Sequence, residues 1–355
     1  MSQIRLYIIG SLPVQLIGLY WLKSKPDWIE NVYSQTFYPL LFKSHRFFFQ
    51  HIPFSIGDVF YAIALFLIAL SLYRIKFKST SIKTLILNLF AIFSILHLLF
   101  YINWGLHYYR IPLAKKLSYP TTYTESQLEK ALKNLISNAN TIHSSLVKND
   151  SMPVVIPYSK EKLGVILSNA FQDVEGFSIV QPFAKNSLWS TMLSYMGYAG
   201  YLNPFTLESQ VNKKIPALSY ITTAVHEMAH QTGIAAENEA NFIAFYNCIS
   251  HEDPYVQYAG FTFALRYCYS ELFKANPDKA KATIEPLNAG IIVNFREQSA
   301  FWEDYENPFE PYLKKGYDQY LKANGQAQGI LSYNAMVTLV VAFSEKENLQ
   351  SNKIN

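Results

Sequence analysis

The segment His226-Glu227-Met228-Ala229-His230 carries the residue types and the spacing of a metal-dependent hydrolytic centre. Residues four apart are neighbours across an α-helix, so both imidazoles project from one face as two ligands for a single tetrahedral ion. Glu227 lies beside His226 and can face the open coordination position, where a carboxylate takes a proton from zinc-bound water whose pKa the metal has lowered. Hydrolysis is the chemistry this predicts, with Zn2+ as cofactor and Glu227 as catalytic base. The third ligand must come from beyond His230. Were the helix to run on unbroken, Glu237 would lie about 10 Å further along its axis, out of reach of a metal held about 2 Å from each donor. The chain therefore has to turn back, and Gly233 is the residue best able to permit it. A second helix then presents Glu237, in preference to Glu239, as the third ligand. Asn241, one turn on, orients a ligand imidazole through its other ring nitrogen.

These residues need a scaffold, and composition says where it sits. Only 16% of the 355 residues are charged while 50% are hydrophobic, against roughly a quarter charged in ordinary soluble chains. The excess lies in three apolar runs, Ile4 to Leu22, Ile56 to Tyr73 and Ile82 to Trp104, each close to the roughly 20 helical residues that cross a bilayer. Tyr20, Trp21, Tyr101 and Trp104 end two of them as interfacial belts do. Residues 1–104 are thus expected to be a membrane anchor of three spanning helices, with an interfacial helix in the connection 23–55. The short connection after the second run carries Arg74, Lys76, Lys78 and Lys83 with no acid. It is expected on the cytoplasmic side, which puts everything after Trp104 outside the cytoplasm. A net charge of +4 is too small a bias to point to a nucleic-acid partner. The expected partners are the lipid bilayer and a protein or peptide substrate near it. Two cysteines, Cys248 and Cys268, exclude a disulfide scaffold and are expected to be buried free thiols.

Residues 105–355 read as one α-rich α+β domain with a small sheet before the motif. Thr124 to Lys148 has helical spacing and a capping start. Val154-Val155-Ile156 reads as a strand, and 177–212 as short strands and turns. Helices are expected over 219–232, 235–250, 255–274, 279–297, 309–322 and 331–345, with a turn at Asn324-Gly325. His97 in the third run is expected to serve helix packing.

The motif region resembles the zinc peptidases of the glutamate-zincin type, which join His-Glu-x-x-His to a Glu-x-x-Ala-Asp/Asn segment on a second helix. Glu237-Asn238-Glu239-Ala240-Asn241 matches the latter. The resemblance implies a zincin-like domain in which His226, His230 and Glu237 are ligands, Glu227 the general base, and peptide the substrate. The six residues between His230 and Glu237 make a shorter spacer than is usual there. Gly233 stands where metzincins have a glycine, but their third histidine would fall at Ala236. The whole chain, with its three spans, Asn203-Pro204-Phe205-Thr206 and Tyr320-Leu321-Lys322-Ala323-Asn324-Gly325-Gln326, also resembles an uncharacterised family of bacterial multi-span membrane proteins. That implies a multi-pass protein of the bacterial inner membrane.

A donor for the developing oxyanion is expected among Tyr258, Arg266, Tyr267, Arg296 and Tyr333. The stretch Gly200 to Asn212 is a candidate edge strand for an extended peptide. Two other functions share parts of this pattern. One is a non-catalytic receptor or assembly factor whose structural metal is closed by a fourth protein ligand. The other is a zinc amidase acting on a cell-wall component.

Overall fold

A computed structural model describes residues 3–77, 81–172, 174, 181–327, 329 and 335–354. The architecture is mainly α with a three-stranded sheet. Three helices, Gln3–Lys23, Ile56–Lys76 and Ile82–Asn103, are long and apolar enough to cross a membrane, close to the expected boundaries. The first and third pack together through polar residues. His97 Nδ1 lies 2.9 Å from Gln15 Oε1, and Gln15 Nε2 donates to Ser94 Oγ at 3.0 Å. His97 thus joins two helices.

The connection after the first helix is helical through Pro26–Trp28, a nine-residue π-helix Ile29–Phe37 and an α-helix Tyr38–Phe49. Its outer face exposes Leu40, Phe47 and Phe48, as an interfacial segment would. Its inner face is buried, however. Ile29, Tyr33, Tyr38 and Phe42 pack with Trp104, Leu106, Leu207 and Ala235. Glu30 lies in the same interior, paired with Arg110 at 2.8 Å and with Lys116.

Beyond Trp104, Thr124 closes a capping box with Gln127 at the start of the helix Glu125–Leu146, which satisfies its free N–H groups. Leu128, Leu132, Leu135 and Ile136 form the buried side of that helix and join the main core. Residues 154–156 are not a strand. Both main-chain groups of Val154 are taken by the Asn294 side chain, at 3.0 and 3.1 Å, so a single amide replaces a ladder despite the β-branched composition.

The stretch from Ala184 to Val211 holds the sheet. β1 (Ala184–Asn186) runs parallel to β3 (Ser209–Val211), and β2 (Gly200–Leu202) pairs antiparallel on the other side of β3. The helix Ser190–Met196 intervenes; positions 177–180 of the expected strand region lie outside the described residues. The motif helix is Ala217–Gln231, followed by Glu237–Ile249 and Pro254–Ala275. The expected helix 279–297 is two, Pro277–Ile284 and Ala289–Glu303. Pro286 lies between them, where its ring and missing N–H forbid a continuous helix. Glu310–Ala323 ends at Asn324 and Gly325, the latter at φ +90°, a conformation open to glycine. The last helix, Met336–Ile354, runs well past the expected end. Its Met336, Val337 and Val340 complete the main core, in which Cys248 and Cys268 are buried free thiols.

Candidate metal centre

The motif helix is buried along nearly its whole length, His226, Glu227 and His230 included. It ends in a Schellman arrangement: Ile234 N donates to Ala229 O, Gly233 N donates to His230 O, and Gly233 sits at φ +85°. A Cβ there would meet His107 Cε1 at 2.6 Å, so both backbone and packing require glycine. The helix's last carbonyls are satisfied from the membrane-proximal part of the chain. Trp104 Nε1 donates to His230 O at 3.1 Å and the Tyr38 hydroxyl to Gln231 O at 2.8 Å.

After the turn, Glu237 opens the second helix, a position where the helix dipole favours a carboxylate. Its Oε2 lies 3.2 Å from His226 Nε2 and 3.5 Å from His230 Nε2, and the two Nε2 atoms are 3.1 Å apart. Both rings have the opposite nitrogen engaged. His226 Nδ1 meets Asn241 Oδ1 at 2.8 Å and His230 Nδ1 meets Ile234 O at 2.6 Å. Each partner is an acceptor, so in the neutral rings the proton sits on Nδ1 and both Nε2 lone pairs face Glu237 Oε2. Two lone pairs and a carboxylate oxygen aimed at one point call for a cation. A tetrahedral ion held at about 2 Å has donor-to-donor edges of about 3.3 Å, and the three observed edges fall close on both sides of that value. The buried His226–His230–Glu237 group fits a metal ion on its own geometry.

The Glu237 charge draws positive charge into the space between the rings, whether cation or proton. Burial alone would raise Glu237, but the His230 and His226 rings hold its carboxyl well below the usual range. For His230, burial opposes protonation, and the Glu237 charge more than offsets it, lifting the ring to about 9. The Tyr317 hydroxyl donates to Glu237 Oε1 at 2.7 Å and thereby turns Oε2 toward the histidines. Glu239 is elsewhere: its Oε1 accepts from Leu113 N at 2.7 Å.

Glu227 is buried, and its Oε2 has no hydrogen-bond partner. Burial, opposed by the two imidazoles and reinforced by Glu237, pushes it up to about 7. Its backbone is tied to the sheet, since Ser209 Oγ donates to Glu227 O at 2.7 Å. Its side chain lies so close to β2 that a Cβ on Gly200 would come within 2.9 Å of Glu227 Cγ and Oε1. The pairs Ala199–Asn212 and Asn203–Glu208 are bonded across β2 and β3. By the alternation of an antiparallel ladder, the main-chain groups of Gly200 and Leu202 therefore face away from β3, toward the open edge.

Two cavities meet at this point. One, of about 570 Å³, takes in His226 and Glu227 together with Thr222, Arg266, Tyr267 and Gln298. The other, of about 370 Å³, takes in all of His226, Glu227, His230 and Glu237. Of the expected oxyanion donors, Arg266 and Tyr267 line the first cavity, and Tyr267 is hydrogen-bonded to Asn241. Tyr258 is a core residue, its hydroxyl donating to Asn294 Oδ1. Arg296 lines neither cavity, and Tyr333 lies outside the described residues. Tyr317 was not legible from the sequence. It stands eighty residues from Glu237, and only its place with Tyr320 on one helix face marks it among 26 tyrosines.

Fold and site together define a membrane-associated helical protein with a buried His-His-Glu group able to hold a metal ion. The chain belongs to the family described as "Protein of unknown function (DUF3810)", to which residues 33–341 match. No curated protein and no solved structure matches it.

Proposed function

We propose that this chain is a membrane-anchored zinc metallopeptidase, with His226, His230 and Glu237 as ligands and Glu227 as general base. The observation that carries the reading is the convergence of three donors at 3.1–3.5 Å beside an unpartnered carboxyl and an open strand edge. Zinc in such a site supplies Lewis acidity, polarising a carbonyl and bringing the pKa of water to about 7. Glu227, whose Oε2 has no hydrogen-bond partner, is placed to accept a proton and to return it to the leaving amine. The balance is that of hydrolysis: the amide C–N bond breaks, hydroxyl joins the carbonyl carbon and hydrogen the nitrogen. Gly200 and Leu202 offer main-chain groups to an extended peptide, and Arg266, which lines the larger cavity with His226 and Glu227, is a candidate to steady negative charge on the carbonyl oxygen.

The rival reading, a receptor with a structural metal, calls for a fourth protein ligand. Among the described residues the candidate ligand group is His226, His230 and Glu237, which favours a reacting centre. We place the protein in the bacterial inner membrane with the part after Trp104 outside the cytoplasm, on the charge of the connection near Arg74 and Lys83. Glu227→Gln is expected to retain stoichiometric zinc and to lose hydrolysis by about 100-fold or more. Metal analysis of the purified protein, with envelope proteomics of parent and variant strains, reads both. Protein without zinc, or a variant that cleaves like the parent, would overturn the proposal.

A further inference from the structure

The cavity of about 370 Å³ is not confined to the globular part. Its wall includes Asp58, Tyr61 and Leu65, which stand at i, i+3 and i+7 on one face of the membrane-type helix Ile56–Lys76. Leu65 lies about 10 Å along that helix from Asp58 at 1.5 Å per residue, within the apolar window Ile56–Arg74. One continuous space therefore joins the three metal donors to the third turn of a helix built for lipid. Between them its wall carries Trp104, Trp189, Met192 and Met196.

The level of the bilayer is locked relative to the donors. Asp58 Oδ2 accepts from Leu188 N at 2.7 Å and from Ser187 Oγ at 3.0 Å, the Tyr201 hydroxyl donates to Oδ1, and Gly57 N donates to Glu208 Oε2 at 2.7 Å. The start of the span is thus clamped to the strands beside Glu227. Leu188 and Met192, which flank that clamp, are 60% and 42% exposed, and Leu65 and Phe66 on the span are 54% and 65% exposed. Such an apolar rim beside a span is placed to sit in lipid rather than water.

We infer that this cavity is the port for a long acyl chain, so that the substrate class is an N-acylated peptide drawn from the membrane. This rests on the metallopeptidase reading and specifies its substrate. The space of about 370 Å³ is walled by apolar and aromatic side chains, Leu65, Trp104, Met192 and Met196 among them. A single unbranched chain fits. The second cavity fits the other half of such a molecule, since it leaves His226 and Glu227 past Thr222, Arg266 and Gln298, and Gly200 lines both. An amphiphile with its tail along Met192 and Leu65 lays its peptide head across Glu227.

The test is photolabelling of the full-length protein in phospholipid nanodiscs, with N-palmitoyl-diglycine carrying a diazirine in mid-chain. It is run with and without zinc, so the readout is position of labelling, not activity. Labelling is expected to be enriched at least fivefold on residues 58–65 and 189–202 over the lipid-facing first helix Gln3–Lys23. Excess unlabelled N-palmitoyl-diglycine is expected to remove the enrichment, and diglycine or palmitate is not. Met192→Trp and Leu65→Trp, which fill the cavity from opposite walls, are each expected to reduce the enrichment at least fivefold, whereas Leu98→Trp on the third helix is not. Labelling spread evenly over the three spans would overturn the inference, as would equal displacement by palmitate, which would make bilayer lipid the occupant. Enrichment in a protein that binds no zinc would sink the peptidase reading and leave the port standing. Zinc binding with even labelling would do the reverse.

Discussion

Replacing Asn241 by Ala tests the arrangement around the metal group at its most specific contact. Asn241 is 3% exposed and its Oδ1 lies 2.8 Å from His226 Nδ1. That acceptor selects the tautomer in which Nε2 keeps its lone pair. Truncation leaves a buried Nδ1–H without a partner and frees the ring to rotate or to carry its proton on Nε2, a form that binds no cation. Loss of such an outer partner typically weakens metal affinity by about 10- to 100-fold, or about 1.4 to 2.7 kcal/mol. Alanine suits the helix Glu237–Ile249, so Glu237 stays in place. Asn241→Asp keeps an acceptor and is expected to bind zinc at least as tightly as the parent. The assay is competition for zinc against a chromophoric chelator, with thermal melting of the metal-free proteins alongside. Should Asn241→Ala bind zinc within twofold of the parent at an unchanged melting temperature, the tautomer argument is refuted.

Three further outcomes are expected. Glu237→Gln loses stoichiometric zinc while Glu239→Gln keeps it, because Glu239 is engaged by Leu113 N at 2.7 Å; metal analysis of the two side by side decides between the two carboxylates. Gly200→Ala puts a methyl within 2.8 Å of Gln210 O and 2.9 Å of Glu227 Oε1, and is expected to cut kcat by about 100-fold through misplacement of the base, with zinc content unchanged. Glu30 supplies a pH signature. Burial would raise it, but the hydrogen bonds and charge of Arg110, with Lys116 and Gln35, hold it down at about 2 against an ordinary value of 4.5. A depressed carboxyl contributes stability that is fully present above pH 4.5 and is lost as pH falls toward 2, here on the order of 3 kcal/mol. The difference in unfolding free energy between parent and Glu30→Gln is therefore expected to stay flat from pH 8 to 5 and to shrink below 4.5, as read by denaturant titration.

The local elements were legible because they depend on short-range chemistry. Apolar runs of spanning length announced three helices, the spacing of Leu128, Leu132 and Leu135 announced the helix after Thr124, and four-residue spacing put His226 and His230 on one face. The turn at Gly233 followed from the distance a third ligand must cover, and it stands where that reasoning put it, at φ +85°. Where local signals misled, a tertiary partner or an overlooked local breaker was the reason. Val154 is held by the amide of Asn294, 140 residues away, and Pro286 divides a helix that periodicity alone runs through. Other features had no local signal at all. Tyr317 reaches Glu237 across 80 residues, Trp104 and Tyr38 close the end of the motif helix across more than 120, and the cavity behind the donors takes Asp58, Tyr61 and Leu65 of a distant helix into its wall. The sequence by itself determined which residues can hold an ion and which segments are long and apolar enough to cross a bilayer, because both depend on composition and near-neighbour spacing. Only the tertiary structure decided that these two regions share one space, since that depends on how distant segments pack.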